Sequence, residues 1–537
     1  MIQAFRIGHL KLFRFPRSRI ISTMTTPYED WSKEDLITRL RLLESQNRPR
    51  SPASSSKLPA RPQSPPRNLP KREFHFGSYA RRKIALKFCY SGWEYNGLAF
   101  QSAPTPLPTV ESVLFDALAK ARLIDPSAGP EGCEWEKCGR TDRGVSAAGQ
   151  VVSLWVRSAL GDRGARAEVE EDRRPEAESE KTRKLSSVEE EGPLEDGFGS
   201  LDIDDSDDEL PRPASPQGLR PELDYVSILN RVLPDTIRVI AWSPVAPTFS
   251  ARFACKYRHY KYFFSSDHLD LSKMQDAASR LLGEHDFRNL CKLDPGKQIT
   301  IFTRKILHAE IVPVENGSPG MYVLNLIGTA FLYHQVRHIM AILFLVGRGH
   351  EQPWVVNSLL NVSEGLEQPR EGESIEIVGS KPEYQMADAL PLMLWDCGYS
   401  NEDVNWRTDG NEPGSDSTHM EDGRGIYHLL YSIHARSEVY SALNLHFLKA
   451  AAAYFPAPWA PTPDGTLGAR VGGGISVEIP LGGGSSRKLT QYVPLLSRKR
   501  LDPVEVANER WRNGKGFRRE QRKAAGAGYG DDDEGDE

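Results

Sequence analysis

The sequence predicts an α+β fold: two ferredoxin-like α/β halves with antiparallel sheets forming a central cleft, plus disordered tails and insertions. Three observations predict it. Strand-like alternation recurs at 83–90, 151–156, 236–242, 256–264, 304–314 and 321–328. Helical spacing falls between those runs, at 109–118, 225–233, 272–283 and 331–346, so strands and helices interleave as two similar units. Hydrophobic residues make up only 39% of 537, with a mean hydropathy of -0.49, which implies a folded core diluted by solvated segments.

Residues 1–27 carry Arg6, Lys11, Arg14, Arg17 and Arg19 without an acidic residue. That pattern resembles a mitochondrial transit peptide; a plain extension fits equally, with Met24 as a second start. At 28–48, Ser32 caps an amphipathic helix whose apolar face is Leu36, Leu40 and Leu43. Residues 49–80, rich in Pro, Ser and Arg, read as a linker. The first folded domain is expected at 81–245. Its opening strand presents Ile84, Leu86, Phe88 and Tyr90 on one face, and Thr109 caps the following helix. An insertion at 158–220 interrupts this domain. Residues 161–210 hold 19 acidic residues against seven Lys and Arg, too polar to offset the entropy of ordering. Pro234 stops the next helix, and a strand closes the unit.

The second domain is expected at 246–445. Its first strand carries Arg258, Tyr260 and Tyr262 on one face. Ser272 and Gln275 form a capping box for the next helix, which Gly283 closes. A strongly apolar helix spans 331–346, Pro353 opens a short one, and 391–397 gives one more strand. Residues 446–490, rich in Gly, Ala and Pro, read as an insertion. Residues 491–537 form a basic segment, suited to phosphate contact or simply solvated, ending in an acidic tail.

Net charge is -5, so nothing global announces nucleic acid, but acidic runs mask local basic ones. No run reaches the ~20 apolar residues of a membrane span. The six cysteines are scattered without a C-x-x-C pair, so neither a zinc site nor a disulfide framework is expected. A reducing intracellular compartment fits; nucleus and cytoplasm are the expected location, with a mitochondrial form through the basic leader.

One stretch concentrates chemistry. In C-G-R-T-D-R-G, from Cys138 to Gly144, Asp142 sits on a glycine-flanked turn between Arg140 and Arg143, before a strand. If the turn is extended, Arg140 and Asp142 project to the same side. Neighbouring guanidinium groups favour the charged carboxylate, which suits a nucleophile or a base rather than a general acid. Taken alone, the motif also fits an aspartate that caps its own turn. Two more polar segments lie downstream: F-S-A-R-F-A-C-K-Y-R-H-Y-K-Y from Phe249 to Tyr262, and A-F-L-Y-H-Q-V-R-H-I-M from Ala330 to Met340.

Together these segments resemble the TruA-type tRNA pseudouridine synthases. G-R-T-D-x-G-V matches that family's catalytic turn. A-R-F-x-A-x-x-R-x-Y-x-Y matches its second motif, with Cys255 replacing the second alanine, and F-x-x-x-x-V-R matches its third. The resemblance covers about 81–157 and 223–399. The segments Y-S-G-W-E-Y-N-G-L-A-F-Q and G-E-H-D-F-R-N-L-C-K resemble the eukaryotic branch that modifies uridines 38 and 39 in the anticodon stem-loop.

The resemblance implies isomerisation of uridine to pseudouridine without cofactor or metal, with tRNA as partner and a homodimer as assembly. Residue by residue, Asp142 matches the nucleophile and Tyr260 the base-stacking tyrosine. Arg337 matches the partner of the carboxylate, and Arg140 the arginine that helps extrude the nucleotide. Arg252 is expected to line the cleft. Each role makes physical sense: the base must leave its stack, an aromatic face receives any base, and a buried carboxylate needs a permanent cation. His334 and His338, one helical turn apart, fit either RNA contact or a structural role. A non-catalytic RNA-binding protein on the same fold, or a scaffold acting through its arms, remains the alternative.

Overall fold

The computed structural model describes residues 74–101, 104–160, 222–409, 425–455, 477–518 and 521. The expected leader, the helix at 28–48, the linker as far as 73 and the acidic segment 161–220 lie outside the described residues.

The first half comprises β1 (Arg81–Tyr90), α1 (Val110–Lys120), β2 (Glu136–Lys137), β3 (Ser146–Arg157), α2 (Tyr225–Asn230) and β4 (Ile237–Pro244). The second comprises β5 (Tyr257–Ser265), α3 (Leu271–Ser279), β6 (Gly283–Asp286), β7 (Thr303–Pro313), β8 (Met321–Gly328), α4 (Gln335–Gly347) and α5 (Val355–Leu360). Then come β9 (Leu392–Gly398), α6 (Ile426–Ala452), the hairpin β10 (Val477–Gly482) and β11 (Ser485–Leu489), and α7 (Val504–Trp511).

The α+β class stands, but the two expected sheets are one. Nine strands run in the order β4-β1-β3-β9-β5-β8-β7-β6, with β2 beside β3. β9 makes the join: it runs parallel to β3 at Ser146 and Ala147, and antiparallel to β5 from Tyr257 to Tyr262. Its Leu392, Leu394 and Cys397 are buried, so β9 has apolar surface to cover as well as two ladders to fill. Gly149 permits the approach, because a Cβ there would lie 2.7 Å from the Trp395 carbonyl oxygen. Lys87 on β1 pairs with Asp396 on β9 at 2.6 Å, a second tie across the seam.

Each half buries its own core. In the first, Leu114 and Leu118 of α1 and Tyr225 and Leu229 of α2 cover Ile84, Leu86 and Phe88 of β1. In the second, every residue of α4 except Arg337 is buried. Each such leucine, isoleucine or phenylalanine contributes roughly 1.5–3 kcal/mol, which fixes α4 firmly beneath the site. The chain leaves and re-enters the fold at one place around the acidic segment: Ser158 Oγ donates to Glu222 at 2.7 Å, and Arg82 pairs with the same carboxylate at 3.1 Å.

Three boundaries differ from expectation. α3 is capped by Asp270, whose carboxylate accepts from the Lys273 N–H at 3.0 Å, and not by Ser272. Gly283 does not stop that helix; it opens β6 at φ 108°. α4 starts at Gln335 rather than at 331, because His334 adopts the left-handed region at φ 57°. The stretch expected as a late insertion opens inside α6 and contains β10 and β11.

Candidate active site

The Asp142 segment is a hairpin connection. β2 pairs with β3 at Glu136 and Lys137, so residues 138–145 close the loop between them. The loop is held along its length. Cys138 N–H donates to Val151 O at 2.8 Å, and Gln150 Nε2 donates to Gly139 O at 3.0 Å. Thr141 is buried; its hydroxyl meets the Tyr90 hydroxyl at 2.6 Å, and its carbonyl accepts from Leu98 N–H. Gly144 turns the chain at φ 83°, where a side chain would be strained, and Val145 N–H returns to Asp142 O at 3.1 Å. The aspartate therefore rides on a loop whose backbone has little freedom.

Among the described residues, His334 and Arg337 approach the Asp142 carboxylate. His334 Nε2 lies 3.2 Å from Asp142 Oδ2, and Arg337 Nη1 lies 3.7 Å from the same oxygen. The flanking arginines do not hold the carboxylate as the local motif suggested: Arg140 and Arg143 are both exposed on the turn. The counter-charge comes instead from the α4 segment, which the packing of the second half drives under the loop. Arg337 is no surface arginine. Its side chain is 13% exposed, and its Nε donates to Ala387 O at 2.8 Å, which fixes the guanidinium plane.

His334 is the residue that sequence reasoning left open. It precedes α4 in a left-handed conformation that a non-glycine residue seldom adopts, a form of local strain found at functional sites. Its side chain is 5% exposed and its ring packs tilted against Tyr333, with centroids 3.8 Å apart. Nε2 is the ring nitrogen that faces the Asp142 carboxylate. The signal available was position: His334 lies three residues before Arg337. His338 belongs elsewhere. It is buried against Lys381 and Tyr384, and burial first, then the Lys381 charge, lowers its basicity.

Tyr260 sits on β5 beside β9 and β8, its ring edge-on to Phe331 at 4.9 Å. Burial pushes its phenol well above the usual range, with the charges of Cys397, Cys138 and Asp142 adding to the rise. Its hydroxyl and Asp142 thus share one electrostatic environment. Arg252 is exposed, its guanidinium 5.3 Å from the Phe253 ring centroid, and its carbonyl accepts from Arg258. The structure thus gathers Asp142, Arg337 and Tyr260, adds His334, and leaves Arg140 and Arg252 exposed. Beside His334, Lys292 and Lys297 lie 5.4 and 4.2 Å from the Tyr333 ring centroid, a basic and aromatic rim. The described residues include one group placed to hold a metal: Cys138, Cys255 and Cys397.

The seam thus carries a carboxylate loop met by an arginine and a histidine, with a buried tyrosine on the adjoining strand. A family model described as tRNA pseudouridine synthase matches residues 277–400. The chain belongs to the TruA-type tRNA pseudouridine synthases. It is 35% identical over 516 residues to the tRNA pseudouridine(38/39) synthase of Saccharomyces cerevisiae, covering 94% of this chain and 96% of that protein. To the Mus musculus protein of the same name it is 38% identical over 376 residues, 68% of this chain and 65% of that one. The tRNA pseudouridine synthase A of Methanothrix thermoacetophila is 31% identical over 335 residues, 61% and 86% of the two chains.

Proposed function

We propose that this isomerase converts uridine to pseudouridine at positions 38 and 39 of the tRNA anticodon stem-loop, with Asp142 as the nucleophilic or basic carboxylate. One observation carries the reading: Asp142 stands on a rigid loop with His334 Nε2 at 3.2 Å and Arg337 Nη1 at 3.7 Å, where the two halves join. The target nucleotide leaves its stack, and the ring of Tyr260 receives the uracil. Asp142 either attacks C1′ of the ribose or takes a proton from the sugar. On both routes the C1′–N1 bond breaks, the uracil turns, and C5 bonds to C1′. C5 loses its proton and N1 gains one, so the product is an isomer. Arg337 and His334 hold the carboxylate in place while charge moves through it.

Arg140, exposed on the turn, is positioned to enter the gap left in the stem, and Arg252 to meet the backbone at the rim. The 491–518 segment and the Lys292 and Lys297 rim supply further phosphate contacts. A homodimer finds support in α6, none of whose residues is buried; Tyr427, Tyr431, Tyr440, Phe447 and Leu448 leave it a large apolar surface. Light scattering of the full chain tests this, and a monomer at micromolar concentration rejects it. Location in nucleus and cytoplasm, with a mitochondrial form, rests on cysteine usage and the basic leader.

The deciding experiment is position-resolved pseudouridine mapping of tRNA in cells lacking the protein, complemented with wild type or Asp142→Asn. The wild type restores modification at 38 and 39. Asp142→Asn does not, while still binding tRNA. Normal modification by Asp142→Asn removes the assignment.

A further inference from the structure

Six cysteines are spread from Cys89 to Cys397, yet three of them meet. The sulfurs of Cys138, Cys255 and Cys397 all lie within 4.8 Å of one another, and all three residues are buried. They come from three separate places: the base of the Asp142 loop, the segment entering β5, and the joining strand β9. Nothing in their sequence spacing brings them together; the seam does.

A fixed guanidinium stands beside the cluster. Arg258, which follows Cys255 by three residues, donates through Nη2 to the Cys138 carbonyl at 3.1 Å and through Nη1 to Thr329 O at 2.8 Å. Its guanidinium is thereby fixed next to the cluster. Tyr399 donates to Ala251 O at 2.6 Å. A permanent cation beside three sulfurs would favour their thiolate form once a metal enters.

We propose that Cys138, Cys255 and Cys397 form a tris-thiolate site for a thiophilic d10 cation, zinc(II) or copper(I). Thiolate donors select these ions, and a sulfur-lined pocket excludes the hard cations that oxygen ligands take. With zinc, three thiolates leave one negative charge, which Arg258 neutralises. Each thiol gives up its proton to solvent as the metal enters, and no electron is transferred. The metal ties three segments that the reaction needs in register. Cys138 begins the Asp142 loop, Cys255 leads into the strand of Tyr260, and Cys397 lies on the strand that joins the halves. The site positions the catalytic loop and does not touch the nucleoside.

The test uses the full chain, expressed with zinc or with copper supplied and dialysed without chelator, and reads metal per chain by mass spectrometry. Wild type is expected to hold about one ion per chain. Cys255→Ala should retain the ion at least tenfold less well. Alanine is the residue of the family motif at that place, so this variant should fold. Cys291→Ala, a buried cysteine outside the cluster, should keep the ion. Cobalt(II) added to metal-free wild type should give thiolate-to-metal charge-transfer absorbance that Cys255→Ala lacks. Wild type that holds far less than one ion of either metal, and gives no such band, overturns the proposal. So does a native disulfide among the three, found by peptide mapping after alkylation. Neither result depends on pseudouridine formation.

Discussion

His334 Nε2 approaches Asp142 Oδ2 to 3.2 Å, closer than the Arg337 Nη1 at 3.7 Å. The nearer of the two partners is thus a histidine in a left-handed turn, and the arginine stands behind it. Catalytic contacts that are poorly aligned in the free enzyme tighten into hydrogen bonds in the substrate complex, and one to a charged group is worth about 1.5–3 kcal/mol, so His334→Ala should lower kcat roughly 10- to 150-fold. His334→Asn should recover part of the loss, because asparagine tolerates the left-handed turn and donates from its side-chain amide. Single-turnover kinetics on an anticodon stem-loop substrate measure this. Equal rates for wild type and His334→Ala would remove His334 from the site.

Tyr260 should act through its ring face. Burial holds the phenol protonated across the working pH range, so its hydroxyl should contribute no step to the pH–rate profile. Tyr260→Phe should keep most activity. Tyr260→Ala should lose base stacking worth about 1–3 kcal/mol, seen chiefly as weaker productive binding. A Tyr260→Phe variant as inactive as Tyr260→Ala would assign chemistry to the hydroxyl instead.

The seam between the halves should be sensitive to a single methyl group. Gly149→Ala places Cβ against the backbone oxygen of Trp395 at 2.7 Å, where no side chain can yield. The expected cost is about 1–3 kcal/mol, read as a lower denaturation midpoint in urea. Gly139→Ala on the neighbouring loop meets nothing within 4 Å and serves as the contrast.

Lys381 gives the chain a pH dependence of defined sign. Burial pushes its ammonium down to about 8; Nζ donates to Cys291 O at 2.6 Å and contacts the His338 ring. The folded state binds this proton less tightly than the unfolded state. Below pH 8 both states hold it, and the cost of burying the charge is fully present. Between pH 8 and the ordinary lysine range the unfolded chain binds more protons, so stability rises with pH, by an amount on the order of 3 kcal/mol. Denaturant titrations of wild type and Lys381→Met at pH 7 and 9.5 should show about 2 kcal/mol of that gain in the wild type only.

Much of the site was legible because its parts are local motifs. The turn at Cys138 to Gly144, the Tyr260 strand and the apolar run around Arg337 each carry their signal within a few residues. What escaped depends on pairs distant in sequence. β9 touches β3 in parallel through only two residue pairs, Ser146 with Met393 and Ala147 with Leu394, and alternation says nothing about which edge a strand will meet. The arginines nearest Asp142 in sequence are not its partners in space, since the loop turns them outward. Asp270 outcompeted Ser272 as a cap because both residues are good caps and one lies nearer the start of the apolar face. Helix α6 went unread, and none of its residues is buried.

The place of β9 also governs how the chain can be made. The strand at the centre of the sheet is the last of the nine to leave the ribosome, some 240 residues after the β3 segment it adjoins. Until it arrives, β3 and β5 each present a bare edge. Folding must therefore close a loop of about 240 residues before the two half-sheets are joined, a route that is slow and exposed to aggregation. A message cut short before Leu392 would yield two half-sheets with open edges, and the cell's chaperones would meet a sticky intermediate in place of a smaller enzyme.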